Sequence, residues 1–186
     1  MRPYFEDCAL LVIDMQEKLL AAMEPEIVEQ SLKNAEMLIE LATDFGLSIF
    51  YTEQYPKGLG ATHERLREKL KDALYVEKLS FSCLDEPDFC ERIAPHIPQS
   101  LIVVGIESHV CVLNTVLDLI IEDEEEELEI FVPVDAIASR RKTHWKNAIS
   151  QMSNLGVIMT NTETLIFQAL GEAKGDLFKK YSKMLK

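Results

Sequence analysis

Leu101-Ile-Val-Val-Gly-Ile-Glu-Ser-His-Val-Cys111 is the stretch on which the reading of the chain turns. Four apolar residues predict a buried strand, Gly105 permits a sharp turn, and the apolar run from Val110 to Ile121 predicts a helix. Cys111 is then expected in the first turn of a helix that leaves a strand directly. The unpaired N–H groups at such a helix start favour a thiolate, the form of cysteine that attacks carbonyl carbon, and can hold an oxyanion. The competing reading is a buried cysteine that serves as a small apolar side chain.

Working outward, Cys8 to Asp14 is a continuous apolar run closed by a carboxylate, the pattern of a strand covered on both faces of a parallel sheet. From Glu26 to Phe45 apolar positions recur at three and four, and Gly46 follows as a stop, so a crossover helix is predicted. Leu47 to Thr52 reads as strand two. Glu53 to Thr62, with Pro56, Gly58 and Gly60, reads as a loop leading to a short helix through Leu70. Ala73 to Lys78 is strand three, Asp88 to Ala94 a short helix, and Leu101 to Gly105 strand four. Leu128 to Ala136 is strand five, Arg141 to Leu155 a helix closed by Gly156, and Val157 to Thr160 strand six. Two further helices are expected over Glu163–Leu170 and Asp176–Leu185. Such alternation predicts one domain over residues 1–186. Its fold class is α/β: a three-layer α/β/α, doubly wound, Rossmann-like arrangement around a six-stranded, mainly parallel sheet.

Composition bounds the function. The chain has 186 residues, and 19 basic against 32 acidic side chains give a formal charge of -13, which disfavours nucleic acid and anionic membrane as partners. No apolar run approaches the length of a membrane span, and the first residues carry acids without an apolar stretch, so a soluble, cytoplasmic protein is expected. Cys8, Cys83, Cys90 and Cys111 show neither a dense disulfide pattern nor zinc-site spacing. The acidic run from Glu122 to Glu127 reads as a solvated loop, with a partner-binding patch as the less favoured reading.

In doubly wound sheets the site lies beyond the carboxyl ends of the strands, near the point where strand order reverses. That rule selects Asp14 after strand one, Lys78 at the end of strand three and Cys111 after strand four. A cysteine nucleophile needs a base, for which Asp14 is the candidate, and a cation between them would favour ionised neighbours, which suits Lys78. Taken singly, Asp14 reads more readily as a helix N-cap or loop hydrogen bond, and Lys78 more readily as a surface lysine. If strand three lies at an edge, the chain after it must fold back for Lys78 to reach Cys111.

Val12-Ile-Asp14-Met-Gln16, Glu77-Lys78 with Phe81-Ser82, and Val104 to Val112 resemble the three signature segments of the isochorismatase-like cysteine hydrolases, a superfamily that includes nicotinamidases. Glu53-Gln-Tyr-Pro-Lys-Gly-Leu-Gly60 is similar to the subgroup called isochorismatase domain-containing proteins. The resemblance implies Asp14 as base, Lys78 as its cationic partner and Cys111 as nucleophile. It implies further a cis peptide between Ile106 and Glu107 and an oxyanion hole made by the N–H groups of Glu107 and Cys111. Nicotinamidases of this superfamily hold a metal with an Asp-x-His pair and a later His, where this chain has Glu53-Gln-Tyr55 and His63 alone, so no metal and no cofactor are expected. Members acting on a vinyl ether can lack the cysteine, so its presence points to acyl transfer on a small amide, carbamoyl or related molecule.

Gln16, Glu53, Tyr55, Phe81 and His109 are candidate pocket residues, with loop packing as the competing role for the first four. His63, His96 and His144 show no ligand spacing. The expected protein is therefore a metal-independent amidase-type hydrolase acting on a small-molecule substrate, a homo-oligomer (dimer or tetramer) by the resemblance. The alternative is a non-catalytic interaction protein that keeps the fold.

Overall fold

The computed structural model describes residues 2–123 and 127–186. In chain order the strands and α-helices are β1 Cys8–Ile13, α1 Glu17–Leu20, α2 Pro25–Phe45, β2 Ser48–Gln54, α3 Pro56–Leu59, α4 Glu64–Arg67, β3 Leu74–Lys78, α5 Pro87–Arg92 and β4 Ser100–Ile106. There follow a π-helical turn Ser108–Val112, α6 Leu113–Glu122, β5 Glu129–Pro133, β6 Ile137–Ala138, α7 Lys142–Asn154, β7 Ile158–Thr160, α8 Thr162–Leu170 and α9 Gly175–Met184. The described residues form a seven-stranded parallel sheet in the order β3-β2-β1-β4-β5-β7, with β6 paired to β4.

The expectation of six strands is corrected to seven, because the segment read as strand five is two strands. Glu129–Phe131 pair with the start of β4, and Ile137 and Ala138 pair with its end. Pro133 has no N–H to offer a ladder and closes β5. The chain turns at once, Ala136 N donating to Pro133 O at 3.0 Å, and rejoins β4 at Ile137. Strand two is longer than expected, running on through Glu53 to Gln54.

Strand alternation divides the core. Cys8, Leu10 and Val12 face one cluster with α2 and α8, whereas Ala9, Leu11 and Ile13 face a second with Phe89, Val116 and Met152. Both faces of β1 are therefore dry, which its unbroken apolar sequence requires. Helix α2 ends where Gly46 adopts φ 67°, with Leu47 N returning to Ala42 O at 2.8 Å.

One glycine fixes the geometry under the site. Gly105 lies opposite Ile13 in the β1–β4 register at φ 129°, and a Cβ there would collide with the Ile13 backbone. Gly105→Ala is expected to destabilise the fold by about 3 kcal/mol or more, since overpacking and a disallowed backbone act together. Thermal unfolding checks it; a melting temperature within a degree of wild type contradicts this account of the register.

Of the acidic run, Glu122 ends α6 and Asp123 accepts from Leu128 N at 2.8 Å, while residues 124–126 lie outside the described residues. Among the described residues no helix is long and apolar enough to cross a membrane.

Candidate active site

β1, β2 and β3 run to one side and the chain then crosses to β4 on the other, so strand order reverses between β1 and β4. Asp14 is the first residue beyond β1, at φ 51°, a left-handed conformation that Asp tolerates better than most residues. Its carboxylate is fully buried. Oδ1 accepts from the Thr52 hydroxyl at 2.8 Å, and Oδ2 lies 2.7 Å from Lys78 Nζ. Lys78 sits at the end of the edge strand β3, two strands from Asp14, and is itself only 1 % exposed. Its side chain reaches across the end of β2, where Nζ also donates to Gln54 Oε1 at 2.7 Å. The chain after β3 folds back over the ammonium, and the carbonyls of Ser80 and Phe81 accept from it at 3.1 and 3.3 Å. A buried ammonium is tolerable only with such partners.

Cys111 enters from the opposite side, on the π-helical turn that follows β4. Its Sγ lies 3.8 Å from Gln54 Oε1, the same oxygen that binds Lys78. Three groups from β1, β3 and β4 thus meet over the strand-order reversal. The peptide between Ile106 and Glu107 is cis.

Burial pushes the Cys111 thiol well above its ordinary pKa, the Asp14 carboxylate adds to this, and the Lys78 ammonium opposes it. The Lys78 ammonium is pulled down by burial, but Asp14 followed by Cys111 and Cys83 outweigh this, and its pKa is raised. At neutral pH the resting site therefore holds Cys111 as a thiol and Lys78 as an ammonium. Alkylation of Cys111 by iodoacetamide is expected to quicken by about tenfold per pH unit between pH 7 and 9, following the thiolate fraction. Mass spectrometry of Cys90→Ser protein, which lacks the exposed cysteine, reads this out. A rate independent of pH in that range contradicts a protonated resting thiol.

The Isochorismatase domain model matches residues 8–164. The chain belongs to the isochorismatase family. It is 34% identical over 179 residues to isochorismatase domain-containing protein 2 of Danio rerio, covering 95% of this chain and 85% of the relative. Among solved structures it resembles the MAR1 ribonuclease of Caenorhabditis elegans, with TM-score 0.86 and 34% identity over 100% of this chain and 92% of that one. It shares its fold with the YcaC protein of Escherichia coli, described as an octameric hydrolase of unknown specificity, with TM-score 0.85 and 24% identity over 100% of this chain and 91% of that one.

Within this isochorismatase fold the other candidate residues separate into three groups. Gln16 and Glu53 make the loop-packing contacts that were the alternative role for them. The Gln16 amide donates to the carbonyls of Gln54 and Gly60 at 2.9 and 2.6 Å and accepts from Gln54 N at 2.7 Å. Glu53 Oε1 accepts from the Thr62 N–H and hydroxyl, and Oε2 accepts from the Tyr75 hydroxyl. Both are buried clasps that hold the β2 loop, with their polar atoms already engaged. Tyr55 and Phe81 are exposed and follow the ends of β2 and β3; each meets Lys78 through its backbone, Tyr55 N donating to Lys78 O at 2.9 Å and Phe81 O accepting from Lys78 Nζ at 3.3 Å. His109 points away from the cysteine cluster, its Nδ1 3.0 Å from Ser139 Oγ and its ring 4.3 Å from that of His144. Glu107 is pinned through its carboxylate to the Arg140 N–H and guanidinium at 3.0–3.1 Å, which fixes the turn carrying Cys111.

Gln54, Thr52 and Cys83 belong to the site without having been singled out. Gln54 joins Lys78 to Cys111, and its own amide is held by Leu79 O at 2.6 Å. Cys83 is fully buried beside the ion pair, where burial first and the Asp14 charge second push its thiol up to about 12. The length of strand two was the missing signal: Thr52 and Gln54 share one strand face, at the end nearest the reversal. Among the described residues no three His, Cys, Asp or Glu side chains gather as a metal cluster.

Proposed function

We propose that the protein is a metal-independent cysteine hydrolase that cleaves a C–N bond of a small amide, carbamoyl or related substrate. The single observation that carries this reading is the contact of Asp14 and Lys78 at 2.7 Å with both side chains fully buried, and Cys111 Sγ 3.8 Å from the Gln54 oxygen that Lys78 also binds. Two ionised groups are not held out of water at a strand-order reversal without compensation, and perturbed titratable clusters of this kind concentrate at catalytic sites.

In the proposed reaction Asp14 takes the Cys111 proton as the sulfur attacks the carbonyl carbon. Lys78 keeps the neighbouring negative charges stable, and the N–H groups of Glu107 and Cys111 hold the oxyanion. Collapse breaks the C–N bond, and Asp14 returns its proton to the leaving amine, leaving a thioester on Cys111. Water, deprotonated at Asp14, then attacks the thioester; its collapse releases the acid, and the thiolate regains a proton. With Cys111 only 5 % exposed, the opening suits a small substrate. We place the protein in the cytoplasm and expect a homo-oligomer, in keeping with the octamer named for the Escherichia coli protein.

The name of the Caenorhabditis elegans relative raises ribonuclease activity as a second reading. A formal charge of -13 and a nearly closed cysteine speak against a polyanionic substrate here. A panel of small amides, carbamoyl compounds, esters and a single-stranded RNA, run against wild type and Cys111→Ala, separates the readings. Saturable amide or carbamoyl turnover lost in the variant supports the hydrolase. RNA cleavage, or no turnover of anything, contradicts it, the latter favouring a binding protein on the same fold.

A further inference from the structure

A second cavity, of about 370 Å³, lies beyond the carboxyl ends of β5 and β6, on the opposite side of β4 from Lys78. Ile27 from α2, Val134, Ile137 and the Trp145 ring wall it, and Ser139 and Lys142 supply polar groups. That volume and balance, mostly apolar with a few convergent polar atoms, is typical of a small-molecule site. The walls are fixed. Trp145 Nε1 donates to Val134 O at 3.0 Å, which anchors the ring, and the Ser139 hydroxyl is held 3.0 Å from His109 Nδ1.

Charge indicates the ligand. Lys142 is exposed and enters none of the ion pairs found among the described residues, in a chain where acids outnumber bases by 32 to 19. Asp135 also borders the cavity, but its Oδ1 accepts from the Thr162 N–H and hydroxyl, both at 2.9 Å, and so serves the start of α8. Lys142 is therefore the cation among the described residues that line the cavity, while Asp135 Oδ1 is engaged at the start of α8. We propose that this cavity binds a small monocarboxylate with an apolar ring or branched chain, its body against Ile137 and Trp145 and its carboxylate on Lys142 and the Ser139 hydroxyl. Such a site is distinct from Cys111, although its walls adjoin the turn that carries the sulfur, through Ser139 with His109, Arg140 with Glu107 and the His109–His144 ring contact.

Trp145 is the sole tryptophan of the chain, so its fluorescence reports this cavity directly. Titration of the full chain with cyclohexanecarboxylate is expected to give a saturable change, with cyclohexanecarboxamide and acetate each binding about tenfold or more weakly. Lys142→Gln, an exposed position that leaves the fold intact, is expected to weaken cyclohexanecarboxylate by about tenfold, and Lys142→Arg to restore it. Cys111→Ala is expected to bind as wild type does, which separates this site from the proposed reaction. No saturable change at millimolar ligand, a carboxamide as tight as the acid, a Lys142→Gln variant that binds unchanged, or loss of binding in Cys111→Ala would each overturn the proposal.

Discussion

Cys111→Ala is expected to lower turnover of any amide or carbamoyl substrate by about 10⁴-fold or more, to the rate seen in buffer, because nothing remains to form the acyl bond. No neighbour can take over. Cys83 is the other sulfur beside Asp14 and Lys78, but it is fully buried with its thiol pushed up to about 12, so it offers neither access nor thiolate. Removing one small sulfur from a packed site should cost about 1 kcal/mol of stability, so the loss is chemical and not a loss of folded protein. Steady-state kinetics beside a thermal melt distinguish the two. Turnover that survives in a folded Cys111→Ala protein contradicts the proposed mechanism.

Lys78→Met is expected to cost about 3–5 kcal/mol of folding stability, because it strands the Asp14 carboxylate in a site that water does not reach. For a chain of this length that corresponds to a fall in melting temperature of roughly 6–20 °C. The pair must be tested as a pair. Asp14→Asn/Lys78→Met removes both charges and is expected to recover much of the loss, a coupling of the size seen for directly interacting groups. The sign of the pH dependence follows from the raised pKa of Lys78. Its stabilisation is fully present below the ordinary lysine value and fades only as pH climbs through the higher folded value, so wild type keeps the pair throughout the neutral range. Additive losses in the double variant contradict the assignment of this ion pair as the keystone of the site.

The dry strands were the most legible part of the sequence. β1 and β4 are buried on both faces, so unbroken apolar runs mark them, and the residues just beyond their ends follow from topology. β2 was harder because its last two residues, Glu53 and Gln54, are polar and look like loop, yet they pair with Glu77 and Lys78 of β3. Polar residues at a buried strand end are unreadable without their partners, and Gln54 finds its partners in Lys78 and Cys111, distant in sequence. The division of strand five was hidden for a similar reason. Pro133 was visible, but the two-residue strand after it exists only because Gly105 and Ile106 stand ready to pair. Gln16 and Glu53 carry two readings in the sequence, pocket lining and loop packing, and their side chains clasp backbone in the fold.

The most direct test of a Cys111 acyl intermediate is acid quenching during turnover of an amide or carbamoyl substrate, followed by peptide mass mapping. The proposed reaction predicts the acyl mass on the peptide containing Cys111 and on no other cysteine, with its accumulation abolished in Asp14→Asn. Full turnover with Cys111 never modified, or an Asp14→Asn protein that acylates as fast as wild type, would contradict it.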